Sequence, residues 1–392
     1  MNKEIIYIQS HPIQYFAPFF AEISNTGLSL QVLYCSDESL RESFDVQFGK
    51  AIQWDIPLLK GYNYEFIFNN AAKPSIHSGF FGLVNWGIVK KLRIAPKSLV
   101  IVPGWNYASY WIGILFAKWY GHDLAIRGES PLNQEVPKKG IKRVLRKLLL
   151  KYFLFKLINH AFYIGTQNHD FYRYYGVPEI KLGFVPYSVD NQRFQNANNQ
   201  WEGRRKELKD SLGLDYEKQQ ILFSGKYISK KRPLDLLEAF SLVDNSNIQL
   251  VMVGDGELRA EMEEFIQRNE LGSKIFLTGF VNQTDIVKYY AASDIFVMCS
   301  GVGETWGLSV NEAMNFGLKL VVSKTTGCSI DLAIPESTGW VFDTGNVEQL
   351  SKALESAICD KKINSTSIKN LVDKYSYKTG IDTIKQITGE SA

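Results

Sequence analysis

The chain runs to 392 residues, 45% hydrophobic, 22% charged and 13% aromatic, with 44 basic against 41 acidic side chains and a formal charge of +3. That length allows two or three ordinary domains, and the apolar content excludes a disordered, collagenous or coiled-coil chain. So small a basic excess argues against a dedicated nucleic-acid binder. Cys35, Cys299, Cys328 and Cys359 show no metal-ligand or disulfide spacing, which predicts a reducing compartment and no metal centre. Nothing in Met1 to Ile8 reads as a secretory leader, because the run turns polar at Gln9-Ser10-His11. The longest apolar stretch lies within Tyr107 to Ala117 and is shorter than the ~20 residues a membrane-spanning helix needs. A cytoplasmic protein is expected.

In chain order, residues 4–9 read as a buried strand, 18–23 as a helix and 28–34 as a second strand. Residues 98–102 are strand, 110–120 helix, and 123–127, 161–165 and 181–185 further strands. Residues 190–203 (DNQRFQNANNQWEG) are rich in Asn and Gln and poor in aliphatics, a composition typical of a linker. The alternation then restarts, with strands at 220–224, 248–253, 275–278, 295–299 and 319–323. Helices at 234–242, 257–268, 283–292 and 308–316 separate them, and 367–387 is helical. Strands alternating with helices predict mainly parallel sheets, so the fold class is α/β with two doubly wound domains. The expected division is 1–190, a linker at 191–205, a second domain at 206–370, and a terminal helix at 371–392 free to pack back on the first domain. Two such domains can hold a large polar ligand and a second reactant in a cleft between them, which suits group transfer.

Three loops of the second half carry chemistry. The stretch Gly301 to Ala313 (GVGETWGLSVNEA) leaves a strand through a Gly-bearing loop and enters a helix near Gly307-Leu308, a place where backbone N–H groups favour phosphate. Glu304 and Glu312 beside it suit hydroxyl donors such as those of a sugar or ribose. As isolated carboxylates they read sooner as a solvated loop residue and a helix-surface residue, since exposed carboxylates are the rule. In Ser224 to Pro233 (SGKYISKKRP), Gly225 permits a tight turn, and Lys226 and Lys231 fit a diphosphate or a plain basic loop. Gly254-Asp255-Gly256 allows close backbone approach but is also simply a turn.

Taken together these loops resemble the retaining glycosyltransferases of family 4, with the GT-B fold of two Rossmann-like domains facing each other across a cleft. The resemblance covers most of 221–342, through SGKYISKKRPLDLLEAF, VGDGELR, LTGFVNQTDIVKYYAASDIFVMCS and GETWGLSVNEAMNFGLKLVVSKTTGCSIDLA. The spacing Glu304-x7-Glu312 is its hallmark, with Gly307 and Gly317 at the helix start and stop. It implies that Lys226 and Lys231 contact a donor diphosphate, that Glu312 accepts from the nucleotide ribose, and that Glu304 holds hydroxyls of the donor sugar. The backbone from Thr305 through Trp306 and Gly307 to Leu308 would face sugar and phosphates, Gly225 and Gly254 would allow close approach, and Phe280-Val281 would flank the base. Lys231, Lys226 and Glu304 would then be the catalytic residues. The implied reaction is metal-independent sugar transfer with retention, needing no cofactor beyond the nucleotide-diphosphate sugar as co-substrate. A glycan or lipid-linked acceptor is expected, in bacterial surface polysaccharide synthesis. Lys226 departs from the usual Arg and loses its fork geometry, and Thr305-Trp306 replaces Gly-Phe.

The first half resembles the family more loosely. His11, Gln14 and Tyr15 of the HPIQY loop, Trp105 after a strand, and Arg127 and Glu129 in IRGES are the candidates for sugar or acceptor contact. The plainer readings are a capped loop for His11 and a buried ion pair for Arg127 with Glu129. Of the other aromatics, Tyr107, Trp111, Trp119, Tyr120 and the cluster Phe171 to Tyr175, most read as core or helix packing. The segment Lys138 to Lys156 (KKGIKRVLRKLLLKYFLFK) has eight cations and no acid. At helical spacing Ile141, Leu145, Leu148, Leu149, Tyr152 and Phe155 share one side. It reads either as a surface for an anionic membrane, on the inner face of the cell membrane, or as a helix whose apolar side packs on the sheet. Competing functions are a non-catalytic nucleotide-sugar or carbohydrate binder and a nucleotide-sugar epimerase of the same fold. No Gly-x-Gly-x-x-Gly follows a strand, which disfavours a dinucleotide oxidoreductase.

Overall fold

The computed structural model describes residues 3–40, 43–45, 50–52 and 55–389. The chain divides into two compact units, one of residues 1–43, 56–187 and 377–392, the other of 44–55 and 188–376.

The strands of the first unit are β1 (Ile5–Gln9) and β2 (Leu30–Tyr34), then, past a two-stranded pair β3 (Ser43–Asp45) and β4 (Lys50–Ile52), β5 (Asn63–Phe66). β6 (Leu99–Val102), β7 (Asp123–Ile126), β8 (His160–Tyr163) and β9 (Leu182–Phe184) follow. The large sheet is ordered β5-β2-β1-β6-β7-β8-β9, and its pairings are parallel, with Ile5 against Leu30 on one side and Leu99 on the other. Helices cover both faces, so the central strands are apolar without alternation; all five residues of β1 are buried.

The second unit builds β10 (Gln219–Ser224), β11 (Ile248–Val253), β12 (Ile275–Gly279), β13 (Ile295–Met298), β14 (Lys319–Ser323) and β15 (Gly339–Phe342). Their order is β12-β11-β10-β13-β14-β15, again parallel throughout. Counted within the unit this is the 3-2-1-4-5-6 order of a Rossmann sheet, and the first six strands of the other large sheet repeat it.

The structure departs from the sequence reading in several places. Residues 191–205 are not a linker: Asn191–Gln200 is a helix of the second unit, and Arg205–Ser211 another. Asp190 caps the first by accepting from the Arg193 N–H at 2.9 Å, and Phe194 is buried against Tyr290 and Phe316. The unit boundary therefore falls at Tyr187/Ser188. The helix Tyr377–Thr388 belongs to the first unit. There Tyr377 packs on Phe19 with ring centroids 5.6 Å apart, and Thr383 Oγ1 donates to the Phe184 carbonyl at 2.7 Å. The strands β5 and β15 and the helices Gly87–Ile94, Thr166–Tyr174 and Val347–Cys359 are additional to those expected.

Candidate active site

Strand order in the second sheet reverses between β10 and β13, so the loops leaving their carboxyl ends run to opposite faces and open a crevice. The loop after β10 is shaped by glycine. The Gly225 N–H donates to the Val253 carbonyl at 3.0 Å, and the Gly254 N–H to the Gly279 carbonyl at 3.0 Å. Gly254 has φ +149°, and a Cβ there would lie 1.8 Å from the Gly225 carbonyl oxygen, so only glycine fits. The loop then makes one tight turn at Ser229–Lys231, and Arg232 enters the left-handed region at φ 51°. That leaves Pro233 opening the helix Pro233–Ser241.

The loop after β13 is tied to its neighbour by the Gly301 N–H, which donates to the Lys230 carbonyl at 2.8 Å. Gly307 (φ +108°) starts the helix Leu308–Asn315, with Met298 Sδ occupying the space a side chain would need. Beneath it the Gly327 N–H donates to the Glu304 carbonyl and the Cys328 N–H to the Trp306 carbonyl, clamping the 304–306 backbone. A Cβ at Gly327 would come within 1.8 Å of the Thr305 carbonyl oxygen.

Across the reversal point Lys231 Nζ donates to the Glu304 carboxylate. Lys230 Nζ stands 3.8 Å from the same oxygen and donates to the Gly303 carbonyl at 3.0 Å. The Lys231 and Glu304 side chains are only 17% and 13% exposed. Burial alone would raise the Glu304 pKa, but Lys231 and then Lys230 outweigh it and hold the carboxyl below its ordinary value. Lys226 is half-buried on the same loop as Lys231, and Phe280 and Val281 are half-buried after β12. Thr305 and Leu308 are half-buried at the loop end and helix start.

Two plain readings fall. Glu304 is not a solvated loop residue, and Glu312 is no surface carboxylate: it is 1% exposed and accepts from the Tyr290 hydroxyl at 2.7 Å. The Trp306 side chain is core. It is 2% exposed, packs on Tyr375, and spends its indole N–H on Asn311 Oδ1 at 2.8 Å, so it does not shape a sugar pocket with its ring. Sequence reasoning missed Lys230, although it stands in the basic run it singled out, and Tyr290, an apolar-looking helix residue.

In the first unit the order reverses between β1 and β6. His11, Gln14 and Tyr15 leave β1 there, and Trp105 leaves β6. The His11 ring lies 3.0 Å from Ser10 Oγ through Nδ1, and burial pushes its pKa down to about 4 against the smaller opposing pull of Glu38. Gln14 is buried, and the Tyr15 carbonyl accepts from the Tyr377 hydroxyl. Trp105 is not an open stacking platform. Its ring is stacked on Phe171, and the Arg146 guanidinium lies 5.6 Å from its centroid. Arg127 is not at a contact surface either. It is 4% exposed, donates to the Val185 and Pro186 carbonyls, and lies 4.9 Å and 5.2 Å from the Tyr187 and Phe16 ring centroids. Glu129 accepts from the Tyr187 hydroxyl. Phe171, Tyr172 and Tyr175 are buried core, as the sequence suggested. Among the described residues no group of three or more His, Cys, Asp or Glu is placed to hold a metal ion.

Residues 204–373 match the family model described as "Glycosyl transferases group 1". An uncharacterized glycosyltransferase of Methanocaldococcus jannaschii is 26% identical over 209 residues, 52% of either chain. The sulfoquinovosyl transferase of Arabidopsis thaliana is 28% identical over 205 residues, 50% of this chain and 38% of its own. The chain thus spans about half, or less, of the length of these relatives. Among solved structures, HepE of Anabaena in complex with UDP superposes with a TM-score of 0.72 at 14% identity, over 98% of this chain and 99% of that one. A glycosyltransferase from Rickettsia africae gives 0.71 at 16% identity, over 99% and 98%. Both large sheets and their Rossmann order are those of the GT-B fold. The match to the glycosyl transferases group 1 model thus falls on the part of the chain that carries Lys231 and Glu304.

Proposed function

We propose that this protein is a retaining glycosyltransferase of the family 4 type, taking its sugar from a nucleotide-diphosphate donor without a metal ion or further cofactor. The observation that carries the reading is the Lys231–Glu304 pair, set at the strand-order reversal beside the Leu308–Asn315 helix start. A diphosphate entering there competes with Glu304 for Lys231, joins Lys226 and meets the N–H groups that follow Gly307. Glu304, so released, accepts from hydroxyls of the transferred sugar, and Glu312 from the ribose. That HepE was solved with UDP supports a nucleoside diphosphate as the leaving group.

In the transfer step the bond from the anomeric carbon to the diphosphate oxygen breaks, and the diphosphate keeps the electron pair. The acceptor oxygen bonds to the same face of that carbon and passes its proton to the departing diphosphate. Lys226, Lys231 and the helix start stabilise the charge that develops. No carboxylate needs to act as a nucleophile, unlike the paired acids of a retaining hydrolase. The acceptor we propose is a glycan or lipid-linked saccharide, in bacterial surface polysaccharide synthesis at the inner face of the cell membrane.

A thermal-shift panel of nucleoside diphosphates and nucleotide sugars tests the donor. A ligand at 100 times its dissociation constant adds ~2.7 kcal/mol to the folded state. Transfer to an acceptor glycoside, with the product anomer assigned by NMR, then tests the reaction. An inverted anomer overturns retention, and binding without turnover makes the chain a nucleotide-sugar binder.

A further inference from the structure

The segment that sequence left between two readings is one continuous helical rod. It runs through the α-helix Ile141–Leu148, a π-turn at Leu149–Leu154 and a last turn at Phe155–Leu157. Its inward side is fixed. Leu150, Leu154 and Phe155 are in the core of the first unit. Glu135, 2% exposed, accepts from Arg146 Nε at 2.9 Å, from Lys138 Nζ at 2.7 Å and from the Tyr175 hydroxyl at 2.6 Å. Burial would raise the pKa of that carboxyl, but its donors outweigh it and keep Glu135 charged. An ionised group so held prevents the rod from rolling. Its other apolar residues therefore cannot turn inward: Ile141, Leu145, Leu148 and Tyr152 are 70%, 58%, 50% and 62% exposed. Of the six residues expected to share a side, Phe155 packs inward, and the reading in which that side packs on the sheet fails for the other five.

The stripe does not end with the rod. Phe153 stacks on Trp111 with centroids 6.1 Å apart. Leu115 and Trp119 follow Trp111 by one and two helical turns, and Trp119 is 82% exposed. We infer that this surface, the outward stripe of 141–157 continued by Leu115 and Trp119, is a docking face for an anionic lipid bilayer. Charge decides the occupant. The stretch from Lys138 to Lys156 holds eight cations and no acid; Lys138 and Arg146 are held by Glu135 and Arg143 by the Tyr174 hydroxyl, while Lys139, Lys147 and Lys156 are exposed. A basic amphipathic helix edged by Trp and Tyr is suited to the headgroup boundary, with its apolar residues in the acyl region and its cations on anionic phosphates. A soluble polyanion would engage the cations and leave the stripe in water. No helix among the described residues is long and apolar enough to cross a membrane, so the contact lies in the plane of the surface. The inference is independent of the transferase reading, since it involves none of the loops around Lys231.

The test is flotation of the full chain with phosphatidylcholine vesicles and with equal mixtures of phosphatidylcholine and phosphatidylglycerol, without nucleotide sugar. We expect binding to the mixed vesicles only, weakening as salt rises. Lys139→Gln with Lys147→Gln should weaken it about fivefold per charge. Leu145→Ser with Trp119→Ala should abolish it, while Lys231→Ala leaves it unchanged. Lys139, Lys147, Leu145 and Trp119 are exposed, so matched thermal midpoints establish that their variants fold. Absence of vesicle binding, or equal binding to neutral vesicles, overturns the inference. So does a concentration-dependent dimer that the stripe variants dissolve while vesicles are ignored, which would make the face a self-interface.

Discussion

Lys231 and Glu304, 73 positions apart in the chain, are joined by a hydrogen-bonded ion pair that links the loops after β10 and β13. Lys231 is the strongest of the charges that hold Glu304 ionised. Either one is therefore freed only when something else satisfies its partner.

Replacing Lys231 by Ala removes the charge proposed to stabilise the departing diphosphate. Loss of one preorganised donor at such a position costs roughly 100–1,000-fold in kcat. We expect a fall of that order with the acceptor KM little changed. Near-normal kcat in steady-state assays would refute the role.

Glu304 also makes a testable contribution to acid stability. Its folded pKa lies below its unfolded value of 4.5, so the stabilisation is complete above that value and is lost as pH falls through the folded one. Glu304→Gln should therefore flatten the acid limb of the thermal-midpoint profile. An acid limb identical to wild type would show that the pair does not persist in solution.

His11 titrates with the opposite chemistry but the same slope. It is neutral in the fold down to about pH 4 and takes up a proton near 6.5 when unfolded, so stability declines as pH falls between those values. His11→Gln should remove part of that decline. NMR of the ring should show no titration above pH 5; a midpoint near 6.5 would contradict the burial.

Gly254→Ala tests the backbone approach beneath the β10 loop. The added carbon meets the Gly225 carbonyl oxygen at 1.8 Å, and backbone cannot swing aside as a side chain would. Overpacking of this kind costs about 1–3 kcal/mol, and we expect nucleotide affinity to fall with stability. A thermal midpoint equal to wild type would mean that the loops part readily.

Much of this was legible in the sequence because the second sheet is built from long apolar strands closed by glycine turns. β11 (IQLVMV) is buried along its whole length, and Gly225, Gly254 and Gly307 mark strand or helix ends at which the loops meet. What escaped was set by distant partners. β5 (NYEF) has a half-exposed edge-strand pattern without apolar alternation. Arg127 looks like a surface cation until Val185 and Pro186, nearly 60 residues later, supply its acceptors. Asn and Gln content suggested a linker at 191–205, whereas the decisive cue was local: Asp190 as a cap and Phe194 as the one buried anchor. The lysine choice at the candidate site followed the family pattern and passed over Lys230, whose nearness to Glu304 arises only from the fold.

The return of Tyr377–Thr388 to the first unit has a consequence during synthesis. That helix leaves the ribosome after every strand of the second Rossmann sheet has been translated. Until it emerges, Phe19 and Val185 of the amino-terminal unit lack that cover, so a chain stalled before Tyr377 would carry an open apolar patch on its first unit however complete the second.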